Sequence, residues 1–358
     1  MKKRDKASTP LTEILTEASE QSGAPGAAGI VVSHDEITDR ACVGVRRLGT
    51  ETPVTIDDKF HTGSNAKAMT AAVCAALVEH DFFGWETTYL DVFPELSGDI
   101  LPAYQTITLE MLLRHNAGIP SYTDDEAEDY VLPPMNGIPV EEQITGFSKW
   151  LLQNLEPVNE PGSEFSYSNA GYSIAAAMAE AVSGRTWAEL IEKYIFHPLG
   201  IDGVAGKGWP AKHDPAQPWG HIFKEGELLP HPPDDDYQLE EFLAPAGDVC
   251  LSIVDYGKFL QMNLKGLQGL ETILSSESIQ HLHNHGNKGM GLGWGVGSLK
   301  TIENLGTFST HGGSAGTFIC VAGVSHQLDL AVGLFTNFNA DEFIQLTFKK
   351  IIAEYAPL

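Results

Sequence analysis

Hydrophobic and polar positions follow two different periods along this chain. Leu11 to Gly23 carries the spacing of an amphipathic helix, with Thr9-Pro10 as its start signal and Gly23 as its stop. Ala27–Ser33 and Arg40–Leu48 then read as the strands of a hairpin whose turn holds His34, Asp35 and Glu36. Val54–Thr62 reads as a further short strand. Ser64–His80 is apolar and rich in alanine, the pattern of a helix buried on small side chains.

From about Asp81 to Gly289 the helical period dominates, at Leu109–His115, Val140–Asn154, Ala170–Ser183, Trp187–Tyr194 and Ile253–Leu264. The stretch between Gly203 and Pro245 is rich in Pro, Gly and Asp. It is expected to hold one small hairpin (His221–Phe223 with Leu228–His231) and no packed helix. From Gly291 the period returns to two. Antiparallel strands are predicted at Gly293–Leu299, Gly306–His311, Thr317–Val324 and Leu328–Phe335, and an amphipathic helix at Asp341–Tyr355. Strands at both ends and helices between them predict an α/β (α+β) architecture of two domains. Residues 1–80 and 290–358 would build an antiparallel sheet flanked by helices, and residues 81–289 a mainly helical domain inserted into it.

Composition narrows the function. The 358 residues include 22 Lys+Arg and 48 Asp+Glu, a net charge of −26, which argues against nucleic acid or an anionic membrane as partner. No apolar run approaches the ~18 residues of a spanning helix. The basic start MKKRDKASTP is not followed by the apolar segment of a signal peptide, so a cytoplasmic location is expected. Cys42, Cys74, Cys250 and Cys320 lie far apart with no C-x-x-C, and are expected as buried free thiols without zinc or redox chemistry. His281, His283 and His285 read as a solvated loop, and Pro232–Asp236 as an exposed one. The alternating glycines of Gly289–Gly297 are not a G-x-G-x-x-G, so no nucleotide or other cofactor is expected. Nothing here sets an oligomeric state.

Three short segments carry the chemistry. In His61-Thr62-Gly63-Ser64-Asn65-Ala66-Lys67 a strand gives way to a helix, and Lys67 falls three residues after Ser64 on the same helical face. A buried lysine with a depressed pKa can take the proton of a serine hydroxyl, and backbone N–H groups at a helix start favour a developing oxyanion. Tyr167-Ser168-Asn169 is the chain's one Y-x-N. A tyrosine beside a lysine ammonium is expected to shift toward the phenolate and act as a base, while Asn169 meets a substrate carbonyl. In His311-Gly312-Gly313-Ser314 the glycines let a ligand approach a strand edge, and the Ser314 N–H can join that of Ser64 in an oxyanion hole.

In this order and at these separations, the three segments resemble the serine β-lactamase and penicillin-binding protein superfamily. The closer likeness is to the class C β-lactamase branch, which pairs S-x-x-K with Y-x-N and includes family VIII carboxylesterases, D-aminopeptidases and DD-peptidases. Leu112–Pro120, Pro245–Asp248 with Tyr256–Phe259, and Gly291–Trp294 are similar to further stretches of that family, so the resemblance runs from about residue 10 to 355. It implies the two-domain β-lactamase-like fold with the active site at the domain interface. It also implies a cofactor-independent serine hydrolase with a covalent acyl-enzyme, acting on a small-molecule ester or amide. Ser64 would be the nucleophile, and Lys67 and Tyr167 would share the proton work, with either as the acylation base. Asn169, His311, Gly313 and Ser314 would handle substrate and oxyanion. Tyr122 and Trp294, beside family motifs, would wall the pocket.

One departure bears on substrate. Penicillin-recognising members carry K-T-G where this chain has His311, and a histidine is mostly neutral near pH 7. Short-chain esters are therefore the expected substrates. D-amino-acid amides or peptides, β-lactams, and an acyl-binding sensor without turnover are the alternatives. A rival motif, Gly312-Gly313-Ser314-Ala315-Gly316, matches the G-x-S-x-G nucleophile elbow of α/β-hydrolases. That fold needs an acid and then a histidine after the serine. Here the one later histidine, His326, precedes Asp329 and Asp341, so the order fails.

Overall fold

A computed structural model describes residues 8–123, 130–235, 239–285, 290–298 and 306–356. Asp236, Gly289 and Leu299, which end stretches singled out above, lie outside the described residues.

The first helix, α1 (Pro10–Ser22), starts and stops where the sequence signals it. The Thr9 side chain accepts the Thr12 N–H, and Gly23 at φ +73° returns its N–H to the Ser19 carbonyl. β1 (Gly26–Val32) and β2 (Ile37–Gly44) make the expected hairpin, with β2 starting three residues earlier than the pattern suggests. Val54–Thr62 yields only β3 (Lys59–His61). Asp58 is the reason: its carboxylate accepts Thr55 N and Oγ1 and both arms of the Arg46 guanidinium, which folds 55–58 into a turn.

A 3-10 turn, Gly63–Asn65, leads into α2 (Ala66–Glu79). Every α2 residue from Ala66 to Leu77 is buried, and the alanines let α3 (Val140–Asn154) and α4 (Asn169–Ser183) belong to the same core. The stretch from Gly203 holds β4 (Val204–Ala205) and the hairpin of β5 (His221–Lys224) and β6 (Glu227–Pro230). Against expectation it also contains a helical turn, Pro210–His213, opened by Pro210 and packed through the buried Ala211. β7 (Val249–Ser252) lies between β3 and β4 in a small antiparallel sheet, with Phe60 opposite Leu251 and Val204 opposite Cys250. α5 (Ile253–Leu267) follows directly.

The last strands are β8 (Gly295–Ser298), β9 (Thr307–Ser314), β10 (Ile319–Ser325) and β11 (Leu330–Thr336), and α6 (Asp341–Tyr355) follows them. They join the hairpin in one six-stranded antiparallel sheet of order β2-β1-β11-β10-β9-β8, so strands from the two ends of the chain pair at its middle, Ala27 opposite Thr336. One face packs under α1 and α6 through Leu11, Leu15, Val31, Val332, Phe348 and Ile351. The other face contributes Ile30, Val32, Ala322 and Phe335 to the larger core that holds α2, α4 and α5. This is the mixed α/β, antiparallel-sheet architecture expected. With helices on both sides, β1, β10 and β11 are buried at every position.

Some local expectations are corrected. His283 is not solvated: it is 6% exposed, stacks on Trp294 and bonds Asn263 Oδ1 at 2.9 Å. Cys74, Cys250 and Cys320 are buried free thiols, but Cys42 is half-buried. Among the described residues no helix is long and apolar enough to cross a membrane.

Candidate active site

The site forms where the turn after β3 meets the end of β9. Gly63 has φ +50°, and a Cβ on it would stand 2.7 Å from both the nitrogen and the oxygen of Ser314. A Cβ on Gly313 would stand 2.1 Å from the Thr62 oxygen and 2.9 Å from the Ser64 nitrogen. Two backbone segments 251 residues apart (Gly63 and Ser314) thus touch with no side chain between them. The buried Asn65 locks this contact. The amide orientation that satisfies its neighbours accepts from Gly313 N at 3.1 Å and donates to the His311 carbonyl at 3.2 Å. Asn65 sits within the S-x-x-K motif, but sequence spacing gives no sign of this role.

Lys67 is wholly buried on the first turn of α2. Its Nζ lies 3.2 Å from Ser64 Oγ, 2.7 Å from Asn169 Oδ1 and 2.7 Å from the Ala246 carbonyl. None of these partners is a carboxylate, and burial holds the amine well below its ordinary lysine range. Tyr167 shares a side-chain hydrogen bond with Ser64, and the Lys67 amine sits over its ring at 4.8 Å. Burial outweighs that bond and pushes the Tyr167 phenol up to about 12. The expected drift of this tyrosine toward phenolate is therefore corrected: desolvation penalises both charges, favouring neutral phenol and neutral amine.

Asn169 is the first residue of α4 and not its cap. Ser168 caps the helix, its Oγ accepting from Gly171 N. The Asn169 amide bridges Lys67 to the Tyr122 carbonyl, to which its Nδ2 donates at 2.8 Å. Tyr122 thus contributes its backbone, while its side chain is 3% exposed and packs on Phe147. Trp294 is likewise buried, stacked on His283. Neither lines the cleft, which corrects their expected role as pocket walls.

The cleft measures about 160 Å3 and is walled by Ser64, Asn169 and Ser314 together with His61, Trp209 and Leu239. No carboxylate, lysine or arginine lines it among the described residues. His311, on β9, is not among the residues that wall the cleft; it is 8% exposed, and its Nδ1–H donates to the Gly293 carbonyl at 2.6 Å. Burial and the neighbouring Lys67 lower its pKa to about 4, so the ring is neutral at pH 7. Sequence reasoning missed His115, whose ring stacks on Tyr167 at 4.4 Å and whose Nδ1 accepts the Ser168 N–H at 3.0 Å. It also missed His61, Asp248 and Cys250, whose ligand atoms lie within 4.8 Å of one another, because His61 stands 187 residues before Asp248 in the chain.

The family model described as Beta-lactamase matches residues 11–352. Penicillin-binding protein 4 of Amycolatopsis lactamdurans is 26% identical over 90% of this chain and 84% of its own length. An unguisins hydrolase of Aspergillus violaceofuscus is 26% identical over 72% of this chain, and a D-aminopeptidase of Brucella anthropi 28% identical over 49%. The chain spans only 46% and 32% of the length of those two relatives. Among solved structures, an octameric penicillin-binding protein homologue from Pyrococcus abyssi overlays 96% of this chain and 77% of its own, with a TM-score of 0.76 at 23% identity. SurE overlays with the same TM-score at 21% identity, over 74% of its chain.

Proposed function

This chain belongs to the beta-lactamase family, and from that premise we propose that it is a serine hydrolase acting through a covalent acyl-enzyme on short-chain carboxylic esters. One observation carries the reading. The Lys67 amine has three polar neighbours, and two of them, Asn169 Oδ1 and the Ala246 carbonyl, can only accept. In the neutral form that burial favours, the amine spends both hydrogens there and turns its lone pair to the third neighbour, Ser64 Oγ at 3.2 Å, to which an ammonium would instead donate.

Ser64 Oγ then attacks the acyl carbonyl, and its proton passes to Lys67. The oxyanion is assigned to the N–H groups of Ser64 and Ser314, brought together by the Gly63–Ser314 contact. Each such donor is worth about 3 kcal/mol. Tyr167, protonated and hydrogen-bonded to Ser64, relays the proton from Lys67 to the leaving alkoxide as the carbon–oxygen bond breaks. Water reverses the sequence: its proton returns through the same relay, the acid departs, and Ser64 recovers its hydrogen.

The cleft supports a small, uncharged acyl group. At about 160 Å3 it falls below the roughly 300–1,000 Å3 of sites that enclose drug-sized ligands. Neutral His311 offers no cation to a β-lactam carboxylate, and the net charge of −26 disfavours anions at long range.

The test compares kcat/KM for p-nitrophenyl butyrate, a chromogenic cephalosporin and D-alanine p-nitroanilide, on wild type and Ser64→Ala, with mass spectrometry of a fluorophosphonate adduct. The ester is expected to lead, the adduct to fall on the Ser64 peptide, and Ser64→Ala to be inactive. An adduct on Ser314 would end this account. A faster cephalosporin or anilide would keep the nucleophile and replace the substrate class, and an acyl adduct that never turns over would make the protein a sensor.

A further inference from the structure

His61, at the wall of the cleft, forms a buried pair with Asp248; they are 1% and 5% exposed. The Gly63 N–H donates to His61 Nδ1 at 3.1 Å, which fixes the ring proton on Nε2. Nε2 in turn faces Asp248 Oδ1 at 3.2 Å, and the Gly208 N–H holds both Asp248 oxygens, at 3.1 and 2.9 Å. The same peptide unit, Thr62–Gly63, is held at its other end: the Thr62 carbonyl accepts from Cys320 Sγ at 2.8 Å and from Asn65 N at 3.2 Å. The next peptide unit carries the Ser64 N–H, and Gly63 between them has φ +50° with no side chain to restrict it. The orientation of that N–H therefore depends on how firmly the preceding unit is clamped.

Cys250 beside the pair suggests a metal site at first sight. The tautomer argues otherwise. A metal on Nε2 would leave both ring nitrogens without a proton while Nδ1 still accepts from Gly63. Burial also keeps the Cys250 thiol protonated, and it donates to the Gly208 carbonyl at 3.3 Å.

We propose that His61, oriented by Asp248, is a positioning residue that aims the Ser64 N–H at the oxyanion through the Gly63 peptide. The inference rests on Ser64 being the nucleophile. Its effect is on the transition state, because the oxyanion exists only there. His61→Ala is expected to lower kcat on the ester about 10- to 100-fold with KM little changed, less than the roughly 10²–10³ for removing a donor outright.

The test measures kcat per fluorophosphonate-titrated site, so that misfolded protein does not count, on an ester and its matching thionoester. Sulfur accepts hydrogen bonds poorly, so a loosened oxyanion hole should penalise the ester more and lower the ester-to-thionoester ratio. A merely structural role would lower both rates together. His61→Asn can keep an acceptor near the Nδ1 position and should restore most of the ester rate. His61→Gln reaches toward Asp248 instead and should not. Rescue by glutamine but not asparagine, or an unchanged ratio in His61→Ala, would overturn the proposal. Failure of wild type to label on Ser64 would instead overturn the reading beneath it.

Discussion

Replacing Lys67 by methionine tests the neutral amine directly, because it changes both rate and stability in ways that can be computed beforehand. The side chain is wholly buried without a carboxylate, and desolvation depresses its folded pKa. In the unfolded chain the amine titrates near 10.4. Between the folded value and about 10.4 the unfolded state therefore binds one more proton than the folded state, and stability must rise with pH across that window. The slope from one proton is about 1.4 kcal/mol per pH unit. Lys67→Met removes it, while the other titrating groups largely cancel when the two proteins are subtracted. Urea unfolding of both proteins from pH 7 to 9 should show the wild type gaining on the variant by up to about 1.4 kcal/mol per pH unit. Turnover should fall about 10²- to 10⁴-fold with loss of the base. Parallel stability profiles would mean that Lys67 keeps its proton in the fold, and the acylation base would then have to be sought in Tyr167.

Gly313→Ala should cut activity at least about 100-fold and cost about 1–3 kcal/mol, since its Cβ would lie 2.1 Å from the Thr62 oxygen and 2.9 Å from the Ser64 nitrogen; thermal melting and ester turnover read both. Glu180, 9% exposed, is raised to about 7 by burial although it accepts from Trp187 N. Its folded pKa lies above the unfolded 4.5, so its favourable contribution is present below 4.5 and lost as pH rises through 7. Glu180→Gln should thus match or trail wild type at pH 4 and exceed it at pH 8, by up to about 3 kcal/mol, in denaturant titrations at the two values. His311→Lys should raise only the β-lactam rate in the substrate panel, because the longer side chain can carry its ammonium out of the buried position toward the cleft; an unchanged β-lactam rate would mean that the cation is lost to burial or is not what the substrate lacks.

Local signals carried the sequence reading a long way. Thr9, Pro10 and Gly23 bound the first helix because caps act within one turn, and period-two patterning located the closing strands because side chains alternate locally. The order of S-x-x-K, Y-x-N and H-x-G was enough to identify the family. What remained hidden depends on partners distant in sequence. β7 became a strand only by lying between β3 and β4, and the two-residue β4 is too short to leave a pattern. Tyr122 and Trp294 stand next to motif residues yet turn into the core, since adjacency in the chain does not set which way a side chain points. A depressed Lys67 was expected from the sequence, but the ionisation of Tyr167 lay beyond it. Proximity to a lysine suggests a phenolate, but burial of both side chains disfavours either charge. Residue order specified which groups meet; the low dielectric of the folded interior set the direction of both shifts, lowering the Lys67 amine and raising the Tyr167 phenol.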